Sequence, residues 1–77
     1  MSMEVQVIIV NEFGEFVGRK VFLNDDQYQS IIDISKVFYT GDAFELTCED
    51  GSFVVFPPDI VQKSILKVTK KIIKEDV

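Results

Sequence analysis

Residues 24–39, NDDQYQSIIDISKVFY, have the spacing of an amphipathic helix. Asn24 is a favourable N-cap residue, and Asp25 and Asp26 follow it where the positive end of a helix dipole favours carboxylates. Apolar side chains then recur on one side of a helix with 100° per residue, and polar side chains lie opposite. This spacing predicts a helix over residues 25–38, with Gly41 ending it.

Two segments of alternating hydrophobicity flank this helix. Before it, residues 5–9 and 16–23 alternate around the turn-forming residues 11–15. After it, residues 44–56 alternate on either side of the tight-turn sequence Glu-Asp-Gly-Ser at 49–52. Each pattern predicts a β-hairpin.

The segment from Pro57 onward fits two structures. As a strand beginning near Ser64, it would bury a lysine, because one face would carry Leu66, Val68, Lys70 and Ile72. As a helix, it has Pro58 near the first turn and apolar residues at spacings of 4, 3 and 4, namely Val61, Ile65, Val68 and Ile72. The β-branched residues disfavour a helix, but the buried lysine disfavours the strand more. The pattern therefore predicts a helix over residues 58–73.

Two parts of the chain are similar to each other. Residues 12–17 match residues 49–54 at Glu, Gly, Phe and Val, and residues 30–36 match residues 64–70 after a gap. An internal duplication would repeat the order strand, strand, helix. The resulting ββαββα pseudo-repeat predicts a single α+β domain over residues 1–77, with a four-stranded antiparallel sheet and two helices packed on it.

With a strand as its last element, the chain resembles the ubiquitin-like β-grasp family in element order. A hairpin, a helix, further strands around the turn at 49–51 and a final strand from about Ser64 follow one another over most of the chain. The resemblance implies ββαβββ as the alternative order. It implies no conjugating activity, since the chain ends Lys-Glu-Asp-Val at 74–77 without the two glycines that conjugating members carry.

Composition excludes several classes of function. The longest uninterrupted apolar run, residues 7–10, is too short to span a bilayer, and residues 1–10 lack the pattern of a signal peptide. The chain has one cysteine and no histidine, the commonest general base and metal ligand. Its four glycines form no phosphate-binding loop. We therefore expect a cytoplasmic protein without membrane contact, with no enzymatic activity, no cofactor, no metal and no small-molecule substrate.

Few residues are candidates for chemistry. Cys48 continues the alternation of Phe44 and Leu46, so we expect a buried and inert thiol. The acidic pairs Asp25-Asp26 and Glu49-Asp50 lack the spacing of a calcium loop. Helix capping and turn formation account for these two pairs.

Charge is divided unevenly along the chain. Residues 1–59 contain 11 acidic and 3 basic residues, whereas residues 60–77 contain 5 lysines and 2 acidic residues, for a net charge of −5. On the helical interpretation, the side opposite the apolar one carries a basic stripe of Lys63, Lys67, Lys70 and Lys74. Such a stripe is suited to nucleic-acid phosphates or an acidic protein surface, although an ordinary solvated helix face also accounts for it.

The predicted sheet has more apolar side chains than helices on one side can cover. Alternation assigns ten of them to the helix-covered face: Val5, Val7, Ile9, Val17, Val21, Leu23, Phe44, Leu46, Val54 and Phe56. Six remain on the opposite face: Ile8, Val10, Phe16, Phe22, Phe53 and Val55. A helix that crosses over, or strands that curl into a partial barrel, would cover these six. Otherwise an exposed apolar patch of this size is typical of an interface with a second copy or another protein.

Taken together, these patterns predict a small acidic regulatory or protein-interaction module that associates with itself. The alternative is a nucleic-acid-binding protein that uses the C-terminal lysine helix.

Overall fold

The computed structural model describes residues 2–73 and contains six strands, two helices and a 3₁₀ turn within them. The strands are β1 (Met3–Asn11), β2 (Gly14–Val17), β3 (Val21–Leu23), β4 (Phe44–Thr47), β5 (Phe53–Phe56) and β6 (Ile65–Ile72). The helices are α1 (Asp25–Lys36) and α2 (Pro58–Gln62), and the 3₁₀ turn is Phe38–Thr40. The predicted α+β class, with two helices and antiparallel strands, is confirmed.

Helix α1 begins where its capping residues predict. The Asn24 side chain accepts a hydrogen bond from the Gln27 backbone N–H at 2.9 Å, and the Gln27 side chain accepts one from the Asn24 backbone N–H at 2.9 Å. This reciprocal capping box satisfies two backbone donors at the start of the helix. The helix ends at Lys36, slightly before the predicted end, and the 3₁₀ turn that follows buries Phe38.

Strand β1 is the centre of the main sheet. Strand β6 pairs with one edge of β1 over eight residue pairs, from Met3 opposite Ile72 to Val10 opposite Ile65. Strands β2 and β3 share the other edge, so that all strands in this sheet are antiparallel to β1. We call the face that carries the buried Val5 and Ile9 the inner face, and the opposite one the outer face.

A β-bulge separates β2 from β3. Ile8 lies opposite Val17 and Val5 lies opposite Val21, so the three residues 18–20 face only two residues of β1. One extra residue reverses the alternation of side chains along the strand. Residues on either side of the bulge therefore do not follow one continuous pattern of inner and outer positions.

The bulge also connects the main sheet to the β4–β5 hairpin. The Gly18 N–H donates to the Val7 carbonyl at 2.7 Å, whereas the Arg19 N–H donates to Thr47 at 3.1 Å and the Glu49 N–H donates to Val17 at 3.1 Å. The chain thus pairs with β1 and with the end of β4 at the same point. Instead of one four-stranded sheet holding both predicted hairpins, the structure has two sheets joined at this bulge.

The main core lies between the inner face, the second hairpin and α2. Its buried members are Ile9, Phe38, Leu46, Cys48, Phe56 and Val61. Phe16 packs edge-to-face on Phe56, with ring centroids 5.1 Å apart, and Phe38 packs similarly on Phe44. Aromatic pairs in this geometry contribute about 0.5–1.5 kcal/mol beyond their burial.

The helix predicted over residues 58–73 is wrong. Helix α2 starts at Pro58 as expected but ends at Gln62, and Ile65–Ile72 form β6. The buried Ser64 hydroxyl lies at this change, where it donates to the Ile60 carbonyl at 2.7 Å and accepts from the Asn11 side chain at 3.2 Å. Pairing with β1 over eight residue pairs outweighs the helical spacing. With β2 and β3 counted as one interrupted strand, the order is ββαββαβ: it has the final strand of the ββαβββ alternative, and a short second helix before it.

This correction also shows that two segments of similar sequence differ in secondary structure. Residues 30–36 lie in α1, whereas the matching residues 64–70 lie almost entirely in β6. The duplicated order therefore holds for the two hairpins and fails at the second helix.

Candidate interaction surface

The outer face of the main sheet carries a cluster of apolar side chains, which we call the outer cluster. Register places them as cross-strand neighbours: Val17 lies opposite Ile8, and Val10 lies opposite Ile65. Ile8, Val10 and Val17 are half-buried by their neighbours, and Ile65 is 64% exposed. Both helices pack on the other side of the sheet, since α2 inserts Val61 into the core beside Ile9 and α1 lies over inner-face residues of β1 and β6.

Of the six residues predicted for an interface, two belong to this cluster and one lies elsewhere on the same face. Ile8 and Val10 form its centre, and Phe22 lies on the outer face at the far end of β1, opposite Glu4, with 65% of its surface exposed. Phe53 and Val55 are exposed on β5, in the other sheet, so register does not connect them with the outer cluster. Whether any of these residues contacts a partner stays a prediction.

The placement of Phe16 on the outer surface is wrong. Phe16 lies opposite the buried Ile9 and packs against Phe56, so it belongs to the inner face. Val17, predicted for the core, lies on the outer face for the same reason. The bulge at 18–20 reverses the alternation, and the predicted pattern ran through it unbroken.

Two members of the outer cluster were missed by the sequence pattern. Val17 was assigned to the opposite face, and Ile65 was assigned to the apolar side of a terminal helix. The signal that identifies Ile65 is the β-branched content of residues 65–72, which favours a strand. The signal for the bulge that moves Val17 is Gly18, because an isolated glycine within a strand pattern often marks a bulge or a close backbone approach.

Charges of opposite sign lie on opposite sides of the outer cluster. Glu15 lies on the β2 side, opposite Val10 of β1, and the Glu49 carboxylate accepts a hydrogen bond from the outer-face Gln6 side chain at 3.3 Å. Lys67 and Lys71 lie on the β6 side, opposite Ile8 and Glu4. The outer face thus has an acidic flank and a basic flank with apolar side chains between them.

The basic stripe predicted along a terminal helix does not form. Lys67 lies on the outer face, whereas Lys70 lies on the inner face with its Nζ 4.9 Å from the centre of the Tyr28 ring. Lys63 follows the end of α2, and Lys74 lies outside the described residues. The helix that supported nucleic-acid binding is therefore absent over the described part of the segment, and nucleic-acid binding itself stays an untested prediction.

Cys48 is a buried free cysteine, as predicted. It is 8% exposed, and it packs in the core with Leu46 and Phe56. The backbone N–H of Cys48 donates to the Ser52 carbonyl at 2.8 Å, which holds the residue in the hairpin.

We expect Cys48 to react with a thiol reagent roughly 100-fold more slowly in the folded protein than in urea, because reaction requires local opening of the hairpin. The rate of labelling is measured by mass spectrometry, from the increase in protein mass. Thr47→Cys is a matched control, because position 47 is the exposed neighbour of Cys48 at the end of β4 and its thiol should label rapidly without urea. Equally fast labelling at both positions would contradict the buried assignment.

The acidic pairs have the structural roles predicted for them. Asp25 and Asp26 lie in the first turn of α1. The Asp50 carboxylate accepts hydrogen bonds from the Ser52 hydroxyl at 2.6 Å and the Ser52 N–H at 2.9 Å, and these bonds hold the pKa of Asp50 below its ordinary value of 3.8. A lowered pKa stabilises the turn above pH 3.8, and this contribution is lost as the pH falls through the folded-state pKa.

No protein-family model, curated protein or solved structure matches this chain. Within residues 2–73, no helix has the length and apolar character needed to cross a membrane. The same residues contain no group of three or more His, Cys, Asp or Glu side chains arranged to hold a metal ion.

Proposed function

We propose that this chain is a small protein-interaction module that associates with a second copy of itself through the outer face of its main sheet. The observation that carries the proposal is the outer cluster of Ile8, Val10, Val17 and Ile65, which neither helix covers. Sheet faces of this kind bury their apolar side chains against another layer. A regulatory or assembly role follows from such an interface and requires no catalytic group.

The charges around the cluster favour a second copy over an unrelated partner. In a symmetric dimer the same surface is used twice, so it must be complementary to itself. A two-fold axis in the interface, running along β1, would place the β2 flank of one copy over the β6 flank of the other. The acidic Glu15 would then approach the basic flank with Lys67, while Ile8 and Val10 would pack near the axis against their own counterparts.

The test is Ile8→Glu, which introduces a charge that the monomer can accommodate and the dimer cannot. In the monomer the new carboxylate lies opposite Lys67, and opposite charges across a strand pair are favourable. In the dimer two carboxylates would meet near the axis, and like-charge juxtaposition costs several kcal/mol. We expect the dissociation constant measured by analytical ultracentrifugation to rise at least about 100-fold.

The control is Phe53→Glu, because Phe53 is exposed on the other sheet and should leave dimerisation unchanged. The unfolding temperature of the wild type should also rise with protein concentration, while that of Ile8→Glu should not. A wild type that is monomeric at millimolar concentration, or an Ile8→Glu variant that dimerises like the wild type, would refute the proposal.

A further inference from the structure

Within residues 2–73, strand β6 has one edge, which we call the free edge, whose backbone groups pair with no other strand. The Ile73 N–H donates to the Ser2 carbonyl at 3.2 Å, which fixes the hydrogen-bonding pattern between β6 and β1. In an antiparallel ladder, residues alternate between facing the partner strand and facing away. The N–H and C=O groups that face away from β1 are those of Leu66, Val68, Lys70 and Ile72. Within the described residues β6 pairs with no strand besides β1.

An apolar groove lies beside this edge, between α1 and the inner face. It has a volume of about 220 Å³ and is lined by Val7, Ile31, Ile34, Ser35, Phe44, Leu66 and Val68. The Ser35 hydroxyl donates to the Ile32 carbonyl at 2.6 Å, so the one polar side chain in the lining is bonded within its own helix. Leu66 and Val68 therefore present both their side chains to the groove and their backbone groups to the free edge.

The charge of β6 selects the kind of strand that can join it. Lys67, Lys70 and Lys71 lie within the strand, and among residues 2–73 none of them has a carboxylate within 4.0 Å. Edge lysines oppose pairing between identical edges. A second β6 would add its own three lysines to these, whereas an acidic strand would neutralise them.

We propose that the β6 edge binds an extended acidic segment of another polypeptide as an additional strand. Alternate side chains of an added strand point to opposite faces. Those on the inner side would enter the groove beside α1 and should be apolar, while those on the outer side would lie beside Lys67 and Lys71 and should be acidic. Backbone hydrogen bonds supply affinity in this mode of recognition, and the pockets for alternate side chains supply specificity.

This proposal goes beyond self-association, because it uses the strand edge and the groove instead of the outer cluster. The two proposals can therefore fail separately. An uncharged variant, Ile8→Ser, should bind the added strand with the same affinity as the wild type, since position 8 lies on the outer face of the central strand and this variant, unlike Ile8→Glu, places no carboxylate opposite Lys67.

The probe is a blocked octapeptide of alternating glutamate and valine, titrated into the full chain and followed by NMR. We expect the amides of Leu66, Val68, Lys70 and Ile72 to exchange with solvent at least about tenfold more slowly when the peptide is bound, because they gain hydrogen-bond partners. An octapeptide of alternating lysine and valine should bind at least about tenfold more weakly, since its charges repel those of β6.

A pair of variants at one position separates the backbone contribution from the charge. Lys70→Ala and Lys70→Pro both remove the lysine and its contact with Tyr28, but only proline removes the outward N–H. That N–H is not used in pairing with β1, and proline is tolerated on edge strands. Both variants should keep the circular dichroism spectrum of the wild type, and Lys70→Pro should bind the acidic peptide at least about tenfold more weakly than Lys70→Ala.

Equal binding by these two variants would overturn the proposal. So would equal affinity for the acidic and basic peptides, or slowed exchange at outer-face positions instead of at the four edge amides. Binding of a single-stranded oligonucleotide in place of the acidic peptide would assign the lysines to phosphate recognition and would also refute it.

Discussion

Replacement of Phe16 by alanine should lower the free energy of unfolding by about 2–4 kcal/mol, because it removes a half-buried ring from the core. Phe16 packs edge-to-face on Phe56, which is buried, and lies opposite the fully buried Ile9. Urea unfolding followed by circular dichroism measures the loss. It is a large part of the total stability, which is about 4–11 kcal/mol for a domain of this size.

Phe53→Ala is the matched control, because the same side chain is removed from a position that is 61% exposed. Its effect should be within about 0.5 kcal/mol, as is usual for surface substitutions. If the alternation were uninterrupted, Phe16 and Phe53 would lie on one surface, and the two alanine substitutions would lower the free energy of unfolding by similar amounts. Similar losses would therefore contradict the bulge and the inner position of Phe16.

The second large effect is expected at Gly18. A Cβ atom added there would lie 2.7 Å from the Val7 carbonyl oxygen and 3.0 Å from Leu46 Cδ1. The nearer atom belongs to the backbone of the central strand, so it cannot rotate away, and the bulge itself must shift. Overpacking of this kind costs about 1–3 kcal/mol, and Gly18→Ala should destabilise the protein by that amount.

The control for this substitution is Gly41→Ala. A Cβ atom at position 41 would meet only the Phe38 carbonyl oxygen at 3.8 Å, an ordinary contact distance. We expect urea unfolding to give a change within about 0.5 kcal/mol for this variant. If Gly18→Ala and Gly41→Ala unfold at the same urea concentration, the close approach at the bulge is not present in the folded protein.

The parts of the fold that were predicted correctly are those with local causes. Helix α1 follows from Asn24 and Gln27, which cap each other within one turn. The second hairpin follows from its tight turn, where Asp50 binds Ser52 and Gly51 has a φ of +89° that glycine adopts readily. Such signals act over three or four residues, so the sequence alone contains them.

The terminal segment was predicted wrongly because its burial depends on distant residues. A strand over residues 65–72 was disfavoured since it would place Lys70 on the same face as Val68. In the structure this face is not fully covered, because β6 is an edge strand and Lys70 remains exposed over the Tyr28 ring. A lysine at an edge extends its charged end into water while its stem covers apolar surface.

The candidate site was predicted only in part for a related reason. Ile8 and Val10 belong to β1, where alternation is unbroken from Met3 to Val10, and both were assigned to the correct face. Phe16 and Val17 precede the bulge at 18–20 and were exchanged between faces. The bulge arises where the chain pairs with β1 and β4 together. Gly18 is a local signal of a bulge, but it does not specify which strands meet there.

The position of β1 between the first and last strands determines the order in which this chain can fold during synthesis. Its partners in β2 and β3 are synthesised soon after it, but its partners in β6 lie more than about 50 residues further along the chain and are synthesised seconds later. Translation adds about 5–20 residues per second, so one edge of β1, with Val7 and Ile9 beside it, stays open for several seconds. The nascent chain therefore carries an unprotected apolar strand until residues 65–72 emerge, and this interval is when it is most exposed to aggregation and most dependent on chaperones.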